Sequence, residues 1–402
     1  MTRILKRLTD FLTGMMNEIA GISPEKWVQN GYSLAHYRNK PVFIHGAVPG
    51  ETVSVQIVKD VSGHSFGTVS YVQIPSEERI HTECKIFPLC GGCSFRHISY
   101  DNEKKIKRQL LSELKYLEDC FQKTELSFLS GNRNQYRNQI RVHSDGTHVG
   151  FYRIHSRDIV PLPAEGCLNI SKNLNESIQE YFYGRKRTGS FRFREHGGKT
   201  FSPNDLDLQK TIMECIPFFG DGIPNPFPAE NFNWEIPADG FFQQNQEMLL
   251  PWLFKIAEMI PGGNPDTAEL FSGNSLIGGF LRKQLGNYQG FESHKISLDL
   301  ARKNFNRMGL QGRFKKMDLY REAPELKTDL VIANPPRAGL KKKILEKLKE
   351  RKGTLIYSSC NPHTMNGDIK FLLNSGYSCT HSAVFDFFPC TPHLELVLSL
   401  VK

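Results

Sequence analysis

The chain reads as an α/β fold: a mostly parallel sheet with helices on both faces, preceded by a small β-barrel and a central α+β segment. Three observations carry this. Beyond about residue 241, short apolar runs alternate with amphipathic helical stretches. From Gly21 to Gln73, several short alternating runs are divided by turns. Between these, three cysteines cluster and arginines interleave with aromatic residues. A chain of 402 residues is long enough for two or three domains with cores that need no disulfide staples.

Composition narrows the function classes. A net charge of +9, from 51 Lys and Arg against 42 Asp and Glu, favours a polyanionic partner. Charged residues at 23% and hydrophobic ones at 39% exclude bulk disorder. No apolar run approaches the ~18 residues of a membrane span, so no membrane partner is expected. The nine cysteines are an odd number in a chain without a secretory signal. That argues against a disulfide framework, for metal or catalytic use, and for a cytoplasmic protein.

The elements follow in order. In residues 1–20, Ile4, Leu5, Leu8, Phe11, Leu12, Met15, Met16 and Ile19 recur at helical spacing beside Arg3, Lys6 and Arg7, which predicts an amphipathic helix or extension. Residues 21–76 make the β-barrel, with strands at Pro41–Ile44, Val53–Ile57 and Val69–Tyr71 and a turn at Ala47-Val48-Pro49-Gly50. Residues 77–240 make the central segment. Its charged stretch from Asp101 to Leu117 predicts a helix, and over 100–120 this helix is placed to pack on the domain that follows. Residues 133–196 read as β-like and basic, with Arg133, Arg137, Arg141, Arg153 and Arg192 among Tyr136, Phe151, Tyr152 and Phe193. That interleaving suits phosphate contacts with base stacking, or equally a solvated strand face over a core face. Asp145-Gly146 reads as a hairpin turn, and residues 217–237, rich in Pro, Gly and Asn, as a linker.

Residues 241–402 carry the α/β rhythm. Strands are expected at Ala268–Phe271, Tyr288–Phe291, Asp329–Ala333, Thr354–Tyr357, Ser382–Phe388 and Leu394–Leu400. Helices are expected at Leu276–Leu285, Ile296–Met308, Lys341–Lys352 and Asp368–Leu373. In such sheets ligands bind at the carboxyl ends of the strands.

Two constellations carry chemistry. Cys84, Cys90 and Cys93 lie within ten residues around paired glycines, and Cys167 on a turn-rich loop is the candidate fourth ligand. Four thiolates suit zinc or an iron–sulfur cluster, and the spacing leaves both open. Cys120, Cys215, Cys379 and Cys390 read as packing residues. In the α/β domain, Gly273 follows the first strand and Glu292 ends the next, where an acid takes the hydroxyls of a ribose. Asp318 follows a third strand candidate, placed for an adenine. Asn334-Pro335-Pro336-Arg337 and Ser359-Cys360-Asn361-Pro362 each follow a strand, so Cys360 sits at the carboxyl edge where a nucleophile is wanted. His393 and Glu395 open the last strand.

These blocks resemble the RNA 5-methyluridine methyltransferase family over residues 20–402, and most of all its branch with a TRAM domain and a 4Fe–4S cluster. Pro49-Gly50-Glu51 resembles the TRAM turn, and Cys84, Cys90, Cys93 and Cys167 match the cluster ligands. Tyr136-Arg137-Asn138 and Gly150-Phe151-Tyr152 resemble central-domain motifs, and Phe241-Phe242-Gln243-Gln244-Asn245 the segment whose Gln contacts S-adenosylmethionine. The resemblance implies a Rossmann-like class I methyltransferase domain with a TRAM/OB-like barrel and a central α+β iron–sulfur domain. It implies S-adenosylmethionine held by Gln243, Phe271, Gly273, Glu292, Asp318 and Asn334, with Cys360 as nucleophile and Glu395 as base. It also implies a monomer acting on structured RNA: 23S ribosomal RNA first, the T-loop uridine of tRNA as the alternative. Four positions depart from the family pattern: Ser275 and Asn334 stand where Gly and Asp are usual, Leu276 where a small or polar residue is common, and Arg96 replaces a common Gln.

The chemistry that follows is addition of the Cys360 thiolate to uracil C6, methylation at C5, and removal of the C5 proton by Glu395. A base inside structured RNA is first flipped out of its stack. Two other readings are an amino-methylating enzyme acting on adenine or glutamine and a non-catalytic RNA-binding scaffold. The first usually has an aromatic residue where this chain has Arg337, and the second rests only on Ser275 and Asn334.

Overall fold

The computed structural model describes residues 18–205, 211–216, 232–237 and 242–402. The helix expected over 1–20 falls mostly outside them, and its last residues belong to a strand.

The N-terminal region is a six-stranded sheet of β1 (Glu18–Ile22), β2 (Lys26–Val28), β3 (Tyr32–Tyr37), β4 (Lys40–His45), β5 (Thr52–Val61) and β6 (His64–Ile74). Its order is β1-β5-β6-β4-β3-β2, and the end strands β1 and β2 do not pair with each other. The expected barrel, closed or half-closed, is therefore an open sheet packed on Ile22, Ala35, Val42, Ile44, Val53 and Val55. The Pro-Gly-Glu turn has its own structural cause. Gly50 holds φ +86°, and the buried Glu51 carboxylate accepts from Val48 N at 2.8 Å and from Arg79 Nη2 at 2.6 Å.

The next stretch holds α1 (Tyr100–Ser112), α2 (Lys115–Lys123) and β7 (Ser127–Ser130). Ser99 caps α1 by accepting from Asn102 N, and the single helix expected here breaks at Glu113–Leu114. A five-stranded antiparallel sheet follows, built from β8 (Gln139–Asp145), β9 (Val149–Tyr152), β10 (Ile159–Pro161), β11 (Thr188–His196) and β12 (Lys199–Phe201). The Asp145-Gly146 turn joins β8 to β9, with Asp145 Oδ1 accepting from Thr147 N and His148 N. Helix α3 (Lys172–Phe182) interrupts the stretch read as β-like. Ser171 caps it, and Leu174, Ile178 and Tyr181 bury one face. Strands β13 (Thr211–Ile216) and β14 (Phe232–Pro237) form a hairpin, so part of the expected linker is a strand. The buried Trp234 of β14 packs over Gly279, where an added Cβ would lie 2.2 Å from the indole.

The C-terminal region comprises α4 (Leu249–Glu258), β15 (Thr267–Leu270), α5 (Leu276–Leu281), β16 (Tyr288–Glu292), α6 (Lys295–Arg307), β17 (Arg313–Lys316), β18 (Leu330–Ala333), α7 (Lys341–Glu350), β19 (Thr354–Ser359), α8 (Pro362–Asn374), β20 (Ser378–Asp386) and β21 (Glu395–Val401). The sheet order is β17-β16-β15-β18-β19-β21-β20-β7, parallel from β17 to β19 and antiparallel on both sides of β21. This is the Rossmann-like α/β fold. Apolar clusters cover both faces, which is why β15, β18 and β19 are buried at every residue instead of alternating.

The last strand of this sheet comes from far upstream: β7 pairs with β20 in parallel. Helix α2 docks beside it, with Tyr116 N and Leu117 N both donating to Asn366 Oδ1 of α8. Cys120 and Cys379 are joined in a disulfide, their Cα atoms 5.5 Å apart, which corrects their reading as free packing residues. Among the described residues, no helix is long and apolar enough to cross a membrane.

Candidate active site

Strand β15 has β16 on one side and β18 on the other, so the chain reverses its direction of travel across the sheet between them. The crevice outside the carboxyl ends of such strands is where α/β sheets bind ligands. A cavity of about 1080 Å³ opens there, roomy against the roughly 300–1,000 Å³ of a typical small-molecule pocket. Gln243, Phe271, Gly273, Glu292, Asp318, Asn334, Cys360 and Glu395 all line it. Eight positions spread over 150 residues thus converge on one space.

At one end lies the glycine turn after β15. Glu292 Oε2 accepts from Gly273 N at 3.0 Å, and Oε1 accepts from His294 N at 2.7 Å. A Cβ on Gly273 would meet no atom within 4 Å, so the backbone there faces open space. That space, with a carboxylate at its edge and Phe271 and Tyr320 rings 5.4 Å apart, fits a nucleoside carrying a free ribose. Phe271 and Ser275 hold φ of 57° and 56°, a region that favours glycine. Gln243 is brought in by a neighbouring backbone: Asn138 N donates to Gln244 O at 2.8 Å, and Asn245 Nδ2 donates to Phe387 O at 3.2 Å. Phe241, beside it in the sequence, lies outside the described residues.

At the other end lie Cys360 and Glu395. Cys360 follows β19 and precedes α8, whose first turn begins with Pro362. Burial and the Glu395 carboxylate push the Cys360 thiol up, while the Arg337 guanidinium draws it down. Arg337 Nη2 also lies 3.3 Å from His393 Nε2, and burial, then Arg337, lowers His393 to about 4. Glu395 is buried, which raises its carboxyl to about 7 against the lowering effect of Ser358. Ser358 Oγ donates to Glu395 Oε1 at 2.6 Å, and Trp252 Nε1 donates to Ser358 Oγ at 3.1 Å. Sequence reasoning missed both partners. Trp252 reads as core on an apolar helix, and the only signal for Ser358 is a serine pair ending an otherwise apolar strand.

The N-terminal half builds the mouth. Asn30 and Tyr32 beside the first sheet, Gly91, Gly92 and Ser94 of the cysteine loop, and Arg137 line the same cavity. A buried ionic cluster ties this half to the segment before Glu395. Lys107 Nζ lies 2.8 Å from Glu103 Oε1 and 2.9 Å from Asp386 Oδ2, and Glu103 Oε1 accepts from Cys390 N at 2.6 Å. Cys390 O in turn accepts from Ser94 N at 2.7 Å.

The four cysteines assigned to a metal do not form that site. Cys84, Cys90, Cys93 and Cys167 are free and near enough to perturb one another, yet among the described residues no three His, Cys, Asp or Glu side chains are placed to hold a metal ion. Burial pushes the Cys90 thiol up to about 12 and that of Cys167 to about 11. Cys90 Sγ accepts from Gly92 N, and Cys93 Sγ from Asn169 Nδ2 at 3.3 Å. The 4Fe–4S cluster, zinc as its substitute and the iron–sulfur domain are accordingly withdrawn, and with the barrel open so is the TRAM and cluster branch of the resemblance.

Comparison with known proteins supports the uracil-C5 RNA methyltransferase reading. Residues 312–402 match the family model tRNA (Uracil-5-)-methyltransferase. An uncharacterized RNA methyltransferase of Leptospira interrogans is 36% identical over 403 residues, covering 95% of this chain and 94% of the relative. A tRNA (uracil(54)-C(5))-methyltransferase of Pyrococcus abyssi is 26% identical, covering 90% and 96%. The crystal structure of the Pyrococcus abyssi tRNA (uracil-54, C5)-methyltransferase with S-adenosyl-L-homocysteine superposes with a TM-score of 0.71 at 22% identity, over 94% of this chain and 99% of that one, and so shares its fold. With its core sheet, its cavity and these relatives, the chain belongs to the RNA methyltransferase family as an S-adenosylmethionine-dependent RNA (uracil-C5)-methyltransferase.

Proposed function

We propose that the enzyme methylates C5 of a T-loop uridine in tRNA through a covalent adduct of Cys360, resolved by Glu395. One observation carries the mechanism: Cys360 and Glu395 open into the same cavity as Gln243, Phe271, Glu292, Asp318 and Asn334. The choice of RNA is supported by the family model and the Pyrococcus abyssi relative, whose names both specify tRNA. The 23S ribosomal RNA of the sequence reading gives way on that ground.

S-adenosylmethionine supplies an electrophilic methyl group. We assign Glu292 to its ribose, Phe271 and Asp318 to the adenine end, and Gln243, Gly273 and Asn334 to the rest of the molecule. Asn334 keeps an acceptor where relatives have a carboxylate, at the loss of one charge. Uracil C5 is too weak a nucleophile on its own. Addition of the Cys360 sulfur to C6 places negative charge on C5 and O4, and C5 then takes the methyl group. Burial and Glu395 oppose the thiolate while Arg337 favours it, and the thiol gives its proton to water before the sulfur adds to C6. The C5 proton then passes to Glu395, the C5–H pair re-forms C5=C6, and the C6–S bond breaks with its electrons returning to sulfur. We assign residues 21–76 and 77–240 to holding the RNA, and 241–402 to the chemistry.

Cys360→Ala is expected to lower methylation by about 10³-fold or more and to abolish covalent RNA capture on denaturing gels. Ordinary turnover by that variant would overturn the mechanism. Mapping 5-methyluridine in tRNA and ribosomal RNA with and without the gene tests the substrate: loss confined to ribosomal RNA would overturn the tRNA assignment.

A further inference from the structure

We propose that Trp252 and Ser358 are positioning residues for Glu395, a relay that orients its carboxylate and holds it ionised for the proton-removal step. The inference deepens the reading of Glu395 as the base and rests on it.

Ser358 stands in a strand whose six residues are all buried. A hydroxyl there is costly unless both its roles are used. Both are. Trp252 Nε1 lies 3.1 Å from Ser358 Oγ, and Ser358 Oγ lies 2.6 Å from Glu395 Oε1. The indole N–H is a donor only, so Ser358 Oγ must accept from it. With Glu395 ionised, the serine O–H points at the carboxylate, and the chain runs from Trp252 through Ser358 to Glu395. All three side chains are buried, and Trp252 and Glu395 line the cavity that holds Cys360.

The geometry has two consequences. A hydrogen bond to Oε1 fixes the carboxylate plane and directs the C5 proton to Oε2. It also favours the charged carboxylate against the burial that opposes it. Other titratable groups line the same cavity. Cys360 follows β19, Arg337 follows β18, and His393 precedes β21. Lys255 and Glu258 of α4 pair with each other at 2.8 Å.

The test uses the full chain, methyl-labelled S-adenosylmethionine and bulk RNA from cells lacking the gene, over a series from about pH 5 to 9. Turnover and the trapped RNA–protein adduct are both read. In Ser358→Ala the acid limb of turnover is expected to move up by about one pH unit, with adduct accumulating at neutral pH and clearing at higher pH. Trp252→Phe is expected to move it the same way by less. If Ser358→Ala fails to fold by circular dichroism, Trp252→Phe decides alone. A lower rate with an unmoved limb in the folded variants, while Glu395→Gln traps adduct at every pH, overturns the relay and leaves the base intact. Normal turnover by Glu395→Gln overturns the base, and the relay with it.

Discussion

Two residues at the cofactor-side turn, Phe271 and Ser275, hold left-handed backbone without being glycine. Such strain costs roughly 1–2 kcal/mol for an L-residue, and it persists where the surroundings fix it. The conformation at Ser275 is one that glycine adopts freely, which accounts for glycine being usual there and leaves the serine itself without a structural explanation. Ser275→Gly is therefore expected to raise stability by up to about 1 kcal/mol, read as a higher midpoint in urea. Glu395 sets a second residue-scale expectation. Its carboxyl is held up near 7, and only the ionised form accepts a proton. Decay of the covalent adduct should be flat above about pH 7 and fall roughly tenfold per unit below it, as rapid-quench measurements would show.

At the scale of elements, α1 and the segment before β21 depend on one another. Lys107 is buried between Glu103 and Asp386, and Glu103 also holds Cys390 N. Removing the cation leaves two buried carboxylates facing each other. Lys107→Met should cost about 3–5 kcal/mol, seen in urea denaturation, and should slow turnover by loosening the approach to Glu395. Legibility in the sequence followed the same division. The α/β rhythm was readable because each βα turn is local, although helix α4 was not anticipated and α8 begins six residues before the expected Asp368. That Cys360 and Glu395 stand at the strand ends lining one cavity was readable because their neighbours in sequence form compact motifs. Helix α3 was not, since the arginines of 133–196 masked the spacing of Leu174, Ile178 and Tyr181. Nor was the relay: Trp252 and Ser358 are separated by 106 residues, and only folding brings them together. The cysteine cluster misled for the converse reason. Close spacing in sequence does not by itself make thiols converge as ligands: among the described residues no three such side chains are placed to hold a metal ion.

For the whole molecule, charge and topology matter most. The +9 net charge accompanies exposed arginines in the central region, such as Arg141 on β8 and Arg157 between β9 and β10. RNA binding should weaken steeply with salt, whereas binding of S-adenosylmethionine should change little. Filter binding and calorimetry from about 50 to 200 mM salt would separate the two.

The pairing of β7 with β20 sets an order of events during synthesis. Ser127–Ser130 emerges from the ribosome some 250 residues before its partner Ala383–Asp386, and β21, which joins β20 to the rest of the sheet, comes last of all. At about 5–20 residues per second, the early strand waits on the order of tens of seconds with its backbone unpaired. The catalytic sheet is thus sealed by a contact between the early and final parts of the chain, and no nascent form short of the terminal strand can display a finished active site.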